Sequence, residues 1–135
     1  MAVIGDAWTI LILRDAIRGA TKFEEFQRGT RASRAMLSDR LAHLVEHGVM
    51  KRVPYEQHPP RYEYRLTDRG NALRPVMMVL ADWGETWLPK KVRSWKRRHK
   101  DCGHNFRPVV SCSECGEALK PGSVSYDTLP ALAKT

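Results

Sequence analysis

Cysteine, acidic residues and long apolar runs are all in short supply in this chain, and each shortage excludes something. Only three cysteines occur in 135 residues, so no even set of structural disulfides is available, and a reducing compartment is expected. The apolar runs, ILIL at 10–13 and VMMVLA at 76–81, fall far short of the roughly 20 residues that span a bilayer. No charged opening segment leads into a cleavable apolar core, so the chain reads as cytoplasmic with no membrane partner. Asp and Glu number 15 against 23 Lys and Arg, a net charge of +8 with a pI near 9.8. That sign suits a partner carrying phosphates. The length is that of one ordinary domain with a small appendage.

What is present is helical periodicity. In SRAMLSDRLAHLVEHG, residues 33–48, Leu37, Leu41, Leu44 and Val45 form one apolar stripe. Ser33 stands at the N-cap position and Gly48 at the C′ position. Arg34, Ser38, Asp39, Arg40 and His43 lie off the stripe, just after Arg31. Short polar side chains among arginines suit a polar, anionic partner, although an ordinary solvated face reads the same way.

Upstream, Asp6 to Ile17 predicts a helix apolar on two sides, with Trp8, Leu11, Ile12 and Ala16 on one and Ile10, Leu13 and Ile17 on the other. Thr21 and Glu24 have the spacing of a capping box, opening a short helix that carries Phe23 and Phe26 inward and closes at Gly29. A short helix, the turn Thr30 to Ser33 and a second helix with a polar outer face have the layout of a helix-turn-helix.

Downstream, VMKRVPY and RYEYRL read as strands around the turn QHPP, with Tyr62, Tyr64 and Leu66 alternating against Arg61, Glu63 and Arg65. The tip, Gln57 to Arg61, carries His58 and Arg61 and has the character of a wing. Thr67 then caps a helix running to Leu88, with Leu73, Val76, Met77, Leu80, Trp83 and Trp87 in a stripe longer than a small core needs. Pro75 is placed to bend it. The fold class expected is mainly α with a small β-hairpin, a winged helix-turn-helix over 1–88 dimerising through its first and last long helices.

Beyond Leu88 the composition changes. A basic stretch at 89–98 is expected to be a linker or a solvated helix end, and Trp95 in it is expected to pack on the dimer or on the zinc unit. Residues 99–120 contain two echoes, His99-x-x-Cys102-Gly103 and Cys112-x-x-Cys115-Gly116. Paired ligands two residues apart followed by Gly have the form of zinc knuckles, so His99, Cys102, Cys112 and Cys115 are expected to hold one structural Zn2+. His104 is a rival fourth ligand, and unligated thiols or a CxxC disulfide are the alternatives. No chemistry is assigned to 121–135.

IGDAWTILILRDAIRG, TKFEEFQ, SRAMLSDRLAHLVEHGVMKRVPY, PPRYEYRLTDRG and PVMMVLADWGETW together resemble the HxlR-type winged-helix transcriptional regulators of bacteria, relatives of the MarR-like group, in order from Ile4 to Trp87. The resemblance implies a homodimer on double-stranded DNA, a recognition helix in the major groove and a wing on the backbone or minor groove. Carried onto this chain, DNA recognition involves Ser33, Arg34, Ser38, Arg40 and His43, with Arg31, His58 and Arg61 nearer phosphates. Two recognition helices roughly 34 Å apart would read a pseudo-palindromic operator. Many members begin with a Cys-Pro segment that some use as a thiol switch; no cysteine precedes Cys102 here, so that switch is not expected. The alternative function is a metal- or thiol-responsive sensor in which the C-terminal Cys/His cluster controls DNA binding. Three thiolates and a histidine leave no open metal position, and no nucleophile and base stand paired, so the chain is not expected to be an enzyme. No small-molecule effector is assigned.

Overall fold

A computed structural model of the chain describes residues 3–89 and 96–126. The expectations for Trp95, for most of the basic stretch and for the tail beyond residue 126 fall outside those residues. In order, the elements are α1 (Ala7–Ile17), α2 (Phe23–Thr30), α3 (Arg34–Glu46), β1 (Met50–Gln57), β2 (Pro60–Leu66), α4 (Asp68–Asn71) and α5 (Arg74–Trp87).

The apolar stripes build a single core of Ile12, Leu13, Phe26, Ala32, Leu37, Leu41, Leu44, Val49 and Met50, all buried. Leu37, Leu41 and Leu44 are sealed completely, so one face of α3 is committed to the interior and the opposite face to solvent. Ser33 caps α3 as expected, its hydroxyl accepting from the Met36 amide at 3.2 Å. Gly48 ends the helix at φ 69°, where a side chain would be strained. Of the two apolar sides of α1, Ile12 and Leu13 enter the core. Ile10, Leu11 and Ile17 stay half-buried.

Several expectations are corrected. The box that opens α2 does not use Thr21 and Glu24: the N-cap is Lys22, and the Glu25 carboxylate accepts from the amides of Thr21 and Lys22 at 2.8 and 3.0 Å. These bonds, with the Lys22 amide foremost, hold the Glu25 carboxyl below its ordinary pKa. Nor does Gly29 close α2. It lies inside the helix, where a Cβ would stand 2.0 Å from the Asp15 carboxylate, so the glycine is there for close approach of α1. The left-handed closing position is taken by Arg31, at φ 58°. Phe26 is buried, whereas Phe23 is only half-buried.

β1 and β2 pair antiparallel from Met50↔Leu66 to Gln57↔Pro60, with an irregularity between Pro54 and Glu56. Their turn contains a cis His58–Pro59 bond. The Tyr64 amide donates to the Thr21 carbonyl at 2.7 Å, pinning the hairpin to the α1–α2 connection. The expected alternation in β2 holds for Tyr64 and Leu66, which pack on the core. It fails at Tyr62, which is exposed, and at Glu63, which is buried and accepts from Arg65 Nε at 2.8 Å.

The single helix expected from Thr67 is broken. Thr67 caps α4, accepting from the Gly70 amide at 3.2 Å and donating to the Gly48 carbonyl at 2.5 Å. Gly70 is pressed so close that a Cβ would stand 2.1 Å from the Val49 carbonyl oxygen. After Ala72 and Leu73 the chain restarts as α5, with Pro75 in its first turn, where the missing amide costs nothing. Leu73 and Met77 pack against the core. No residue of α5 is buried: Val76, Leu80, Trp83 and Trp87 are 54, 45, 55 and 73% exposed.

The chain divides into two compact units, Met1–Ala81 and Asp82–Thr135. In the second, Arg97 forms a paired hydrogen bond with Glu85 at 3.0 and 2.9 Å. Arg107 does the same with Asp82 at 3.1 and 3.0 Å.

Candidate nucleic-acid interface and tail metal centre

The solvent face of α3 opens with Ser33 and Arg34 and continues through Ser38 and Asp39, all exposed. Arg31, held in the left-handed turn before it, is also exposed. Arg34 does not hang free. Its guanidinium carbon lies 4.8 Å above the Phe23 ring, and Nη1 reaches Gln27 Oε1 at 3.4 Å. The half-buried position of Phe23 is therefore a platform, one that its apolar character alone did not reveal. An arginine held across a ring keeps its planar fork oriented for a bidentate acceptor.

Arg40 is arranged differently. Its Nε is 3.4 Å from Asp6 and Nη1 is 3.6 Å from Asp39, and its side chain is 30% exposed. Asp6 is the N-cap of α1, accepting from the Thr9 amide at 3.0 Å and the Thr9 hydroxyl at 2.6 Å. Burial pushes the Asp6 carboxyl up, but the Thr9 bonds and the Arg40 charge outweigh it and leave its pKa lowered. Arg40 thus ties α3 to α1 through residues 34 positions apart, a link no local pattern announces. Asp39 has the cationic partner its place among arginines calls for.

His43, half-buried, stacks on His47 with ring centroids 4.2 Å apart. At the hairpin tip His58 and Arg61 are exposed, and Arg61 Nε lies 3.2 Å from Glu56. Both partners are more than half exposed, so the pair contributes little and yields readily to a phosphate. Further along the hairpin, Arg52 lies over the Tyr62 ring at 4.0 Å.

In the tail the two sequence echoes are one structure used twice, thirteen residues apart. His99 N donates to His104 O, Gly103 N to His99 O and Phe106 N to Arg97 O; Cys112 N donates to Glu117 O, Gly116 N to Cys112 O and Leu119 N to Val110 O. Bridges Arg98↔Asn105 and Ser111↔Ala118 repeat at the same offset, and both glycines have positive φ, 72 and 75°. His99 therefore occupies the place of Cys112, whereas His104 corresponds to Glu117.

Within each turn the donors are paired, His99 Nδ1 lying 3.4 Å from Cys102 Sγ. Amides of Cys115 and Glu114, with the Cys115 thiol, hydrogen-bond the Cys112 sulfur and lower its pKa, the environment of a thiolate ligand. All three cysteines are free. No residue of 96–126 is buried, so these described residues form no apolar core among themselves and match small domains that rely on a metal. In kind and local geometry the donors fit zinc. The two pairs are not brought together: among the described residues, no three of these four donor atoms lie within 4.8 Å of one another. No helix among the described residues is long and apolar enough to cross a membrane.

Comparison with known proteins matches residues 3–92 to the HxlR-like helix-turn-helix family. An HTH-type transcriptional regulator of Mycobacterium tuberculosis H37Rv is 39% identical over 131 residues, covering 96% of this chain and 83% of its own. The crystal structure of PA1607, described as a transcription factor, aligns with a TM-score of 0.80 at 38% identity over 93% of this chain and 88% of that one. The redox regulator HypR in its reduced form aligns with a TM-score of 0.59 at 35% identity, over 62% of this chain and 84% of its own. The first two alignments are long enough to take in the tail; the last is not.

Proposed function

The chain belongs to the HxlR-like helix-turn-helix family, whose members regulate transcription by binding DNA rather than by catalysis, and from that premise we propose that it acts as a homodimer on a pseudo-palindromic operator. The observation that carries the reading is the division of α3 into a sealed leucine face and an exposed face bearing Ser33, Arg34 and Ser38, with Arg31 just before it. In this reading α3 enters the major groove. Arg34 is the base reader: poised on Phe23, it can offer two donors to guanine O6 and N7, worth about 1–3 kcal/mol of discrimination. Ser33 and Ser38 contribute shorter contacts.

Arg40, engaged with Asp6, holds α3 in place and adds charge rather than reading a base. Arg31, His58 and Arg61 meet phosphates, giving affinity and register but little selectivity. His43 lies further along α3, at the edge of the contact. Dimerisation uses the exposed residues of α5, Val76, Leu80, Trp83 and Trp87, together with Ile10, Leu11 and Ile17 of α1. A second copy buries both sets at once.

The experiment is selection from a fragmented genomic DNA pool at several salt concentrations, with the bound fraction sequenced. A two-fold symmetric site, and affinity falling steeply with salt, support the proposal. Binding without sequence preference overturns it.

A second reading concerns the tail and rests on the thirteen-residue repeat. We assign His99, Cys102, Cys112 and Cys115 as ligands of one structural Zn2+, with His99 preferred to His104 because His99 holds the position of a cysteine ligand in the other turn. Zinc there would supply the cohesion that the missing apolar core does not. A sensor role, in which this cluster controls DNA binding, is separable by experiment. DNA affinity unchanged by chelation leaves zinc structural; affinity lost with the metal favours the sensor. The HypR likeness does not decide it, since every cysteine of this chain lies at or beyond residue 102.

A further inference from the structure

The last turn of α3 brings together His43, Glu46 and His47, one donor atom from each lying within 4.8 Å of the others. The spacing i, i+3, i+4 places all three on one side of the helix end. The two rings stack with a tilt of 46°. His47 Nδ1 lies 2.9 Å from the His43 carbonyl oxygen. A carbonyl can only accept, so Nδ1 carries the hydrogen and, in the neutral ring, Nε2 keeps its lone pair. Metal-bound histidines are commonly fixed in this way, one nitrogen donating to a backbone carbonyl while the other ligates. Arg69 Nη1 donates to the His47 carbonyl at 2.9 Å, holding the helix end. The helix C-terminus is itself the negative end of the peptide dipole and favours a cation.

We propose that His43, Glu46 and His47 form a binding site for a first-row divalent transition cation, separate from the thiol-bearing tail. Two imidazoles and one carboxylate are the donors that nickel and zinc accept, whereas calcium and magnesium require oxygen. Three protein ligands leave positions for water, so the site is open and exchangeable rather than structural. Glu46 is exposed and both histidines are half-buried, which gives an ion access from solvent. Occupancy adds two positive charges to the helix that reads DNA. That consequence rests on the DNA-binding reading; the site does not.

The test titrates the full chain, supplied with one equivalent of zinc for the tail, with Ni2+ in a calorimeter. Histidine ring signals are followed in parallel by NMR, where paramagnetic Ni2+ broadens those it touches. The expected result is one Ni2+ bound with broadening of His43 and His47. Affinity should fall about tenfold or more in His43→Gln, His47→Gln and Glu46→Gln, because each removes a ligand. Glu46→Gln keeps the test valid if a histidine variant disturbs the helix end, which circular dichroism reports. Absence of Ni2+ binding, affinity unaltered by all three substitutions, or broadening confined to His99 and His104 overturns the proposal. No DNA enters the experiment, so its failure is distinct from failure of the regulator reading.

Discussion

The winged-helix unit and the tail are stabilised by different physics. Between Ile12 and Met50 nine apolar side chains are sealed from water, and the polar groups around them serve as caps and ties. Between residues 96 and 126 nothing is buried, and order comes from repeated backbone turns and from arginine–carboxylate pairs with Asp82 and Glu85. A unit of the first kind tolerates loss of any one surface group. A unit of the second kind depends on whatever joins its two turns, and that dependence is the strongest physical argument for a bound ion.

The difference can be broken from either side, and metal removal should act most strongly. Stripping zinc, or replacing Cys112 with Ser, should abolish tail order while the winged-helix unit keeps its cooperative melting. Structural zinc contributes about 10–16 kcal/mol in small peptides of this sort. Metal content and amide exchange in 97–119 read the result; a tail equally protected with and without metal would show that the turns suffice. Leu41→Ala is the converse. Leu41 is completely buried, so its truncation should cost the winged-helix unit about 2–5 kcal/mol in denaturant unfolding and leave zinc content unchanged.

The exposed apolar face of α5 offers a third test. Leu80→Asp should leave the monomer folded, since Leu80 is 45% exposed, yet weaken the dimer by about 2 kcal/mol or more, as loss of a central apolar anchor does. Sedimentation as a function of concentration measures it, and an unchanged dimer would move the interface elsewhere. Smallest is Arg31→Gly. Relief of the left-handed backbone returns about 1 kcal/mol, partly offset by the freer unfolded chain, for a net gain near 0.5 kcal/mol. The same variant should flatten the salt dependence of DNA binding by about 1.8 in log–log slope, because one phosphate contact is lost from each protomer of the dimer. Stability and function would then move in opposite directions at one residue.

How far the sequence disclosed all this follows from the range of the interactions involved. The span of α3, its cap at Ser33 and its leucine face were legible because they are set by residues within a few positions of one another. So was the tail echo, whose spacing the hydrogen bonds reproduce. The start of α2 was misplaced by one residue because Thr21-x-x-Glu24 and Lys22-x-x-Glu25 compete in the same stretch, and only folding shows which carboxylate turns back. Gly29 looked like a helix terminator, but its reason is Asp15 on another helix. Glu63 had to be assigned to the polar side of β2 by alternation, since its burial depends on the paired Arg65. The restart of the last helix was signalled by Pro75, which was read as a bend. Arg40 is the clearest limit: its engagement with Asp6 spans 34 positions, so no local pattern could announce it. The His43-x-x-Glu46-His47 spacing, by contrast, is local, and only the shared face at the end of α3 shows that the three donors converge.

The central claim is that the exposed face of α3 reads bases and that Arg34 is its principal reader. It is tested most directly by repeating the genomic selection with Arg34→Ala. Arg34 is exposed and its contacts are with Phe23 and Gln27 only at the surface, so the fold should change by no more than about 0.5 kcal/mol. The account predicts that the recovered site keeps its two-fold symmetry and spacing but loses its preference at one symmetry-related pair of guanines. An unchanged consensus, bound with unchanged affinity, would contradict it.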